Sequence, residues 1–239
     1  MKNIFCKLVV MTFVIGIFTG CCDSVFIRGN GNLKTSEISV SAFEKINCSG
    51  SVEVRYFASD DYRVEYSIDS NIDEYVEIYA KNNVLNIKLQ KGHSYSYKKF
   101  LVDVYCPVIT GVEFSGSASF EGVDEIITSK FESNISGSGK IKGTFDCRNF
   151  VAKTSGSSKM TISGYSENAN IDISGSGKFN GNDFLTKNAT VKISGSGEIT
   201  IGVEDYLKVN ISGSGKVNYW GNPTVDSNIS GSGKLKKLE

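Results

Sequence analysis

Ile135-Ser136-Gly137-Ser138-Gly139-Lys140 returns as Ile173-Ser174-Gly175-Ser176-Gly177-Lys178 and as Ile193-Ser194-Gly195-Ser196-Gly197-Glu198. It recurs again as Ile211-Ser212-Gly213-Ser214-Gly215-Lys216 and Ile229-Ser230-Gly231-Ser232-Gly233-Lys234. Worn copies of the Ser-Gly-Ser-Gly word open at Ser49, Ser115 and Ser155, and in the C-terminal half the interval is 18 to 20 residues. A period of that length marks a solenoid, whose rungs bury their apolar faces only against one another.

The residues around the word give the rung its inside and outside. One residue before the first serine stand Ile135, Thr154, Ile173, Ile193, Ile211 and Ile229; three before, Ser133, Ala152, Ile171, Val191, Val209 and Ser227. Five before stand Phe131, Phe150, Ala169, Ala189, Leu207 and Val225; five after, Ile141, Met160, Phe179, Ile199, Val217 and Leu235. All these offsets are odd, and residues two apart in a strand share a face, so one parity points inward. The even offsets are polar: the serines, then Lys140, Lys159, Lys178, Glu198, Lys216 and Lys234. The glycines fall on the inward parity, where a missing side chain lets the backbone bend or approach the next layer, so the word reads as a corner between two short strands.

A flexible Gly/Ser linker needs no apolar columns, and a β-propeller repeat runs to about 40 residues. A rung of this length has a contour near 60 Å, which suits one turn of a parallel coil with layers about 4.8 Å apart. The expected fold is all-β, a right-handed parallel β-helix or β-solenoid with 18–20-residue rungs and a wider β-rich N-terminal part. Residues 43–114 form that part, with Asp60-Asp61, Asn82-Asn83 and Lys91-Gly92 as breaks between longer β-like runs. Residues 115–239 form the regular solenoid continuous with it, and Lys234, Lys236, Lys237 and Glu239 charge the last strand against edge pairing.

Residues 1–20 read as a secretory signal: Lys2 and Lys7, then an apolar run from Leu8 to Phe18 too short to span a bilayer. Phe18-Thr19-Gly20-Cys21 resembles a bacterial lipobox, which implies a lipid on Cys21 and a membrane as partner; residues 21–42 then read as a leader or linker. Simple secretion and an uncleaved anchor are the alternatives. Losing Lys2 and Lys7 with residues 1–20 leaves 24 basic against 26 acidic residues, a balance with no field to attract nucleic acid. Cys48 and Cys106 continue apolar faces, as core thiols or as a disulfide with each other. No Cys-x-x-Cys spacing suggests zinc, and the word lacks the aspartate of calcium-binding β-rolls.

The Ile-Ser-Gly-Ser-Gly-Lys phrase, the alternation before it and the lipobox-like leader together resemble the family called putative auto-transporter adhesin, head GIN domain. The resemblance runs from about Phe43 to Leu235. It implies a secreted or lipid-anchored envelope protein of Bacteroidetes type, a right-handed parallel β-helix and an adhesive role, with no catalytic residues to transfer. Where that family often carries an acid after the word, this chain carries mostly lysine.

Nothing in the chain composes a catalytic motif. The sole histidine, His93, reads as an exposed loop residue without a carboxylate or cysteine nearby in sequence, and the serines repeat without the histidine and acid a nucleophile needs. No cofactor is implied. The outward column Lys140, Lys159, Lys178, Lys216 and Lys234, with Asp172 and Glu198 as the acids near it, could bind an anionic glycan or only keep the coil solvated. Two aromatic groups, Tyr95, Tyr97 and Phe100 and Tyr219-Trp220, are contact platforms or end packing, with Trp220 the candidate for a surface contact. The sequence therefore points to a non-enzymatic, lipid-anchored envelope protein with an adhesin-like surface for glycan or protein. A polysaccharide-active β-helix enzyme and a structural or stress-related envelope component are the alternatives.

Overall fold

A computed structural model describes residues 25–239; the signal segment and Cys21 lie outside the described residues. No helix among the described residues is long and apolar enough to cross a membrane. The N-terminal strands are β1 (Val25–Arg28), β2 (Leu33–Ser39), β3 (Lys45–Gly50), β4 (Glu53–Ala58), β5 (Arg63–Asp69), β6 (Val76–Lys81), β7 (Val84–Leu89), β8 (His93–Ser96) and β9 (Leu101–Cys106). Then follow β10 (Gly111–Gly116), β11 (Ser119–Gly122), β12 (Ile126–Gly137), β13 (Lys140–Gly156), β14 (Lys159–Gly175), β15 (Lys178–Gly195) and β16 (Glu198–Gly213). β17 (Lys216–Trp220), β18 (Thr224–Gly231) and β19 (Lys234–Lys237) close the series.

From β10 onward every pairing is parallel, word upon word, in a β-solenoid of about 7 turns. Ser49, Ser115, Ser136, Ser155, Ser174, Ser194, Ser212 and Ser230 form one continuous ladder. The word is the expected corner, but its flanking strands are long. β13 to β16 run 16 to 18 residues each, nearly a whole rung, because the parallel ladder persists through the other bends.

The inward parity is buried. Ile173, Ile193 and Ile211 are 2%, 1% and 2% exposed and layered directly on one another. Aromatic size alternates along the core. Phe131 stacks on Phe150 with centroids 5.9 Å apart, and the next two rungs place Ala169 and Ala189 in that column. The space goes to Phe179 and Phe184, whose rings meet Phe150 at 6.1 and 5.1 Å. Large side chains facing small ones keep such a core close-packed.

The second glycine of the word explains one sequence irregularity. A Cβ on Gly139, Gly197, Gly215 or Gly233 would come within 2.5–2.7 Å of an isoleucine Cγ2 from the column beside it. The worn word Ser155-Gly156-Ser157-Ser158 has a serine there and Thr154 in place of the isoleucine. Both side chains are buried, at 5% and 4%, and neither hydroxyl has a hydrogen-bond partner. Buried unpaired hydroxyls are destabilising, so Thr154→Ile with Ser158→Gly is expected to stabilise the chain by about 1–3 kcal/mol in urea unfolding. Thr154→Ile alone should gain less, because Ser158 still occupies the space; a double variant that unfolds earlier than the parent would refute this.

The N-terminal end is built differently. β3 and β4 rest in parallel on β7 and β9, but those strands continue into antiparallel partners: β7 with β6, β9 with β5, and β5 with β2. The β6–β7 hairpin turns through Asn82 and Asn83, at φ 52° and 63°, the left-handed pair that a tight hairpin requires. This cap covers the edge that a bare parallel rung would expose. The stretch read as leader takes part: residues 33–39 form β2, and residues 25–28 form β1, paired in parallel with β8. At the opposite end Val225 and Ile229 remain 37% and 38% exposed on the last rung.

Candidate functional site

The corner that the word makes carries the chain straight into the lysine column. Four residues after each first serine, Lys140, Lys159, Lys178, Glu198, Lys216 and Lys234 pair rung to rung in register, on the outward side of the buried Ile141, Met160, Phe179, Ile199 and Val217. Register pairing in a parallel ladder fixes their backbones about 4.8 Å apart. Glu198 is the one acid in the column. Its carboxylate lies 3.0 Å from Lys178 Nζ and 3.9 Å from Lys216 Nζ, and the hydrogen bond from Lys178 holds its pKa below the usual carboxylate range. Among the described residues Lys140, Lys159 and Lys234 have no carboxylate within ion-pair distance.

The face on the other side of the word is balanced instead. There Lys192 meets Asp172 at 3.9 Å and Lys153 meets Glu132 at 3.2 Å. Asp172, which the sequence placed near the lysine column, belongs to this second face. The positive strip is therefore confined to one side of the coil.

Beside the strip lie two openings. One, of about 250 Å³, is lined by Ser119, Glu121, Lys140, Lys142, Lys159 and Thr161. The other, of about 380 Å³, is lined by Thr144, Thr161, Ser163, Asn180, Asn182 and Asp183 among others. A bulge makes the second: Gly181 pairs with Ile201 and Leu185 with Gly202, so residues 182–184 have no counterpart in the rung above. Phe184 is fully buried against Phe150, and the polar Asn182 and Asp183 line the opening. Its signal in the sequence was the 20-residue interval from Ser174 to Ser194, against 18 or 19 for the other intervals from Ser136 onward. Glu121, the other acid at the opening, is held by Lys142 at 2.7 Å.

The remaining candidates lie apart from the strip. Trp220 is half-buried: a side chain on Gly202 would run into its indole, and its Nε1 is buried without a partner. The ring is thus packed onto the rung below and is no free platform. His93 sits in β8 and not in an exposed loop, half-buried against Tyr75 and Tyr95 with centroids 5.3 and 6.1 Å away. The aromatic group beside it divides. Phe100 joins the core at 3% exposure, while Tyr97 donates to Ser51 O at 2.8 Å and Tyr95 to Gln90 O at 2.9 Å. With Ser49, Gly50 and Lys91, the residues His93, Tyr95 and Tyr97 line a cleft of about 440 Å³ beneath the first word. Cys48, Cys106 and Cys147 are buried free thiols, and burial pushes Cys106 and Cys147 up to about 12, so none is nucleophilic at neutral pH. Among the described residues no group of three or more His, Cys, Asp or Glu side chains could hold a metal ion.

The lysine strip is thus a register-locked, solvent-exposed face of largely one charge sign. The family described as "Putative auto-transporter adhesin, head GIN domain" matches residues 42–223. The chain belongs to this family. Solved structures share the fold. One described as a putative adhesin from Bacteroides fragilis superposes with a TM-score of 0.83 at 19% identity, covering 89% of this chain and all of that one. Another from Parabacteroides merdae, also described as a putative adhesin, gives 0.73 at 22% identity over 90% of this chain and all of its own. A structure described as a putative lipid binding protein from Parabacteroides distasonis gives 0.75 at 25% identity, again over 90% of this chain and all of that one. No curated protein matches the chain.

Proposed function

We propose that this head GIN domain protein is a non-enzymatic, adhesin-like component of the cell envelope, held there by a lipid on Cys21, and that its lysine column binds anionic glycans. One observation carries the glycan assignment: lysines stand in register on one face with Glu198 as the sole acid among them, while the face across the word is charge-balanced. A linear polyanion lying along the rungs meets cations at the pitch of the sheet, and the hydroxyls and amides of the neighbouring openings suit its sugar hydroxyls. Like charges so close repel one another, so a bound polyanion also relieves strain within the column.

On immobilised polygalacturonate the mature chain is expected to be retained at low salt and released as ionic strength rises. Lys140→Gln, Lys159→Gln, Lys178→Gln and Lys216→Gln together should weaken binding at least about tenfold, equivalent to about 1.4 kcal/mol. Glu198→Gln should strengthen it by freeing Lys178 and Lys216. Unchanged retention of the lysine variant would dismiss the column as a site. Acyl labelling that persists in Cys21→Ala would dismiss the anchor.

A further inference from the structure

The end of the solenoid where the chain enters carries a surface that the glycan reading leaves unused. β1 pairs with β8 in a separate two-stranded ribbon, Val25 beside His93 through to Arg28 beside Ser96. The ribbon lies at the first rung's outer end: β8 follows β7, which underlies β3, and Tyr97 just beyond it bonds to Ser51. Alternation gives the ribbon two faces. Ile27 and Tyr95 pack against the core. Phe26, Arg28, Ser94 and Ser96 share the other face and are exposed, Phe26 at 64% and the adjoining Val25 at 58%. Exposed Lys98 follows on the same parity, and exposed Lys91 opens the turn before β8.

The charge here is one-sided. Asp69 is buried, accepting from the backbone N–H of Gly31 and Lys98; Asp73 is paired with Lys34, and Glu77 with Lys88. Glu74, next to Tyr75, is the exposed acid of that stretch. An exposed aromatic ring on a face that also carries Arg28, with Lys91 and Lys98 just beyond the two ends of β8, is the chemistry of the boundary between phospholipid headgroups and acyl chains.

Chain length says what lies opposite. On the reading that Cys21 is acylated, on which this inference rests, four residue steps of at most about 3.6 Å separate the lipid-bearing residue from Val25. Val25, the first residue of the ribbon, therefore stays within about 14 Å of the lipid-bearing residue. We propose that the β1–β8 ribbon seats on a phospholipid surface, with Phe26 at the headgroup boundary and Arg28, Lys91 and Lys98 on lipid phosphates. The rungs then stack away from the membrane at about 4.8 Å each, and the lysine column runs outward from it.

The test needs no lipid on the protein. The chain from residue 21, carrying Cys21→Ser, is sedimented with vesicles of phosphatidylethanolamine and phosphatidylglycerol at low salt. Binding is expected, and Phe26→Ser with Arg28→Gln and Lys98→Gln should weaken it more than tenfold, at about fivefold per charge. Lys153→Gln with Lys192→Gln, on the charge-balanced face, should leave it unchanged. Phe26→Trp should add fluorescence that brominated lipids quench, while Trp220 of the parent, near the far end, stays unquenched. No binding, equal binding by the triple variant, or an unquenched Trp at 26 overturns the proposal. So does self-association abolished by Phe26→Ser without vesicle binding, which would give the face to a second copy. Mass measurement of the membrane-extracted protein tests Cys21 separately, and an unmodified Cys21 would sink the anchor while leaving the vesicle result to decide the ribbon.

Discussion

Gly195→Ala is expected to destabilise the chain by about 2–4 kcal/mol, whereas Ser194→Ala and Ser196→Ala on either side of it should each cost no more than about 0.5 kcal/mol. Gly195 has φ 123°, a conformation that side-chain-bearing residues rarely adopt. A Cβ there would also lie 2.7 Å from the carbonyl oxygen of Gly175 in the rung below. That oxygen accepts from Ser196 N at 2.9 Å, and the neighbouring rungs repeat the bond: Ser176 to Gly156 at 3.0 Å and Ser214 to Gly195 at 2.9 Å. An alanine must therefore strain its own backbone and push apart two layers at the corner. The flanking serines are exposed and make no such contact. Urea unfolding of the three variants checks this; comparable losses at all three positions would mean that the word is not a glycine-dependent corner. In a solenoid the damage should spread to neighbouring rungs, since each is stabilised mainly by those beside it.

The regular half could be read from sequence because alternation and rung length constrain each other. Once Ile173, Ile193 and Ile211 align, every residue between them has a face, and the pairings follow. The N-terminal half offered alternation without a period. Val84–Leu89 was legible as a strand, but that it lies beneath Lys45–Cys48 while pairing antiparallel with Val76–Lys81 depends on long-range hydrogen bonds that no local pattern encodes. The same holds for Leu33–Ser39. Most of it is exposed, so burial leaves little trace there, and its pairing with Arg63–Asp69 makes it a strand. Of the candidate site, the lysine column was legible as an even-offset series. The bulge at residues 182–184 was not, because Phe184 reaches the core only by breaking the parity used to find the columns. Trp220 was open to two readings because one residue in the adjacent rung, Gly202, decides whether an indole lies flat or stands free.

The central claim, that odd offsets face the axis and even offsets face water, is tested most directly by thiol labelling of Ile193→Cys and Ser194→Cys in the folded chain. In the chain from residue 21 carrying Cys21→Ser and Cys22→Ser, the remaining Cys48, Cys106 and Cys147 are at most 4% exposed and should be silent, so each variant reports a single introduced thiol. Ser194→Cys is expected to react with Ellman's reagent about as fast as an unfolded thiol, and Ile193→Cys roughly a thousandfold more slowly, because it must wait for local opening. Equal rates, or faster labelling at position 193, would contradict the stacked, one-parity core.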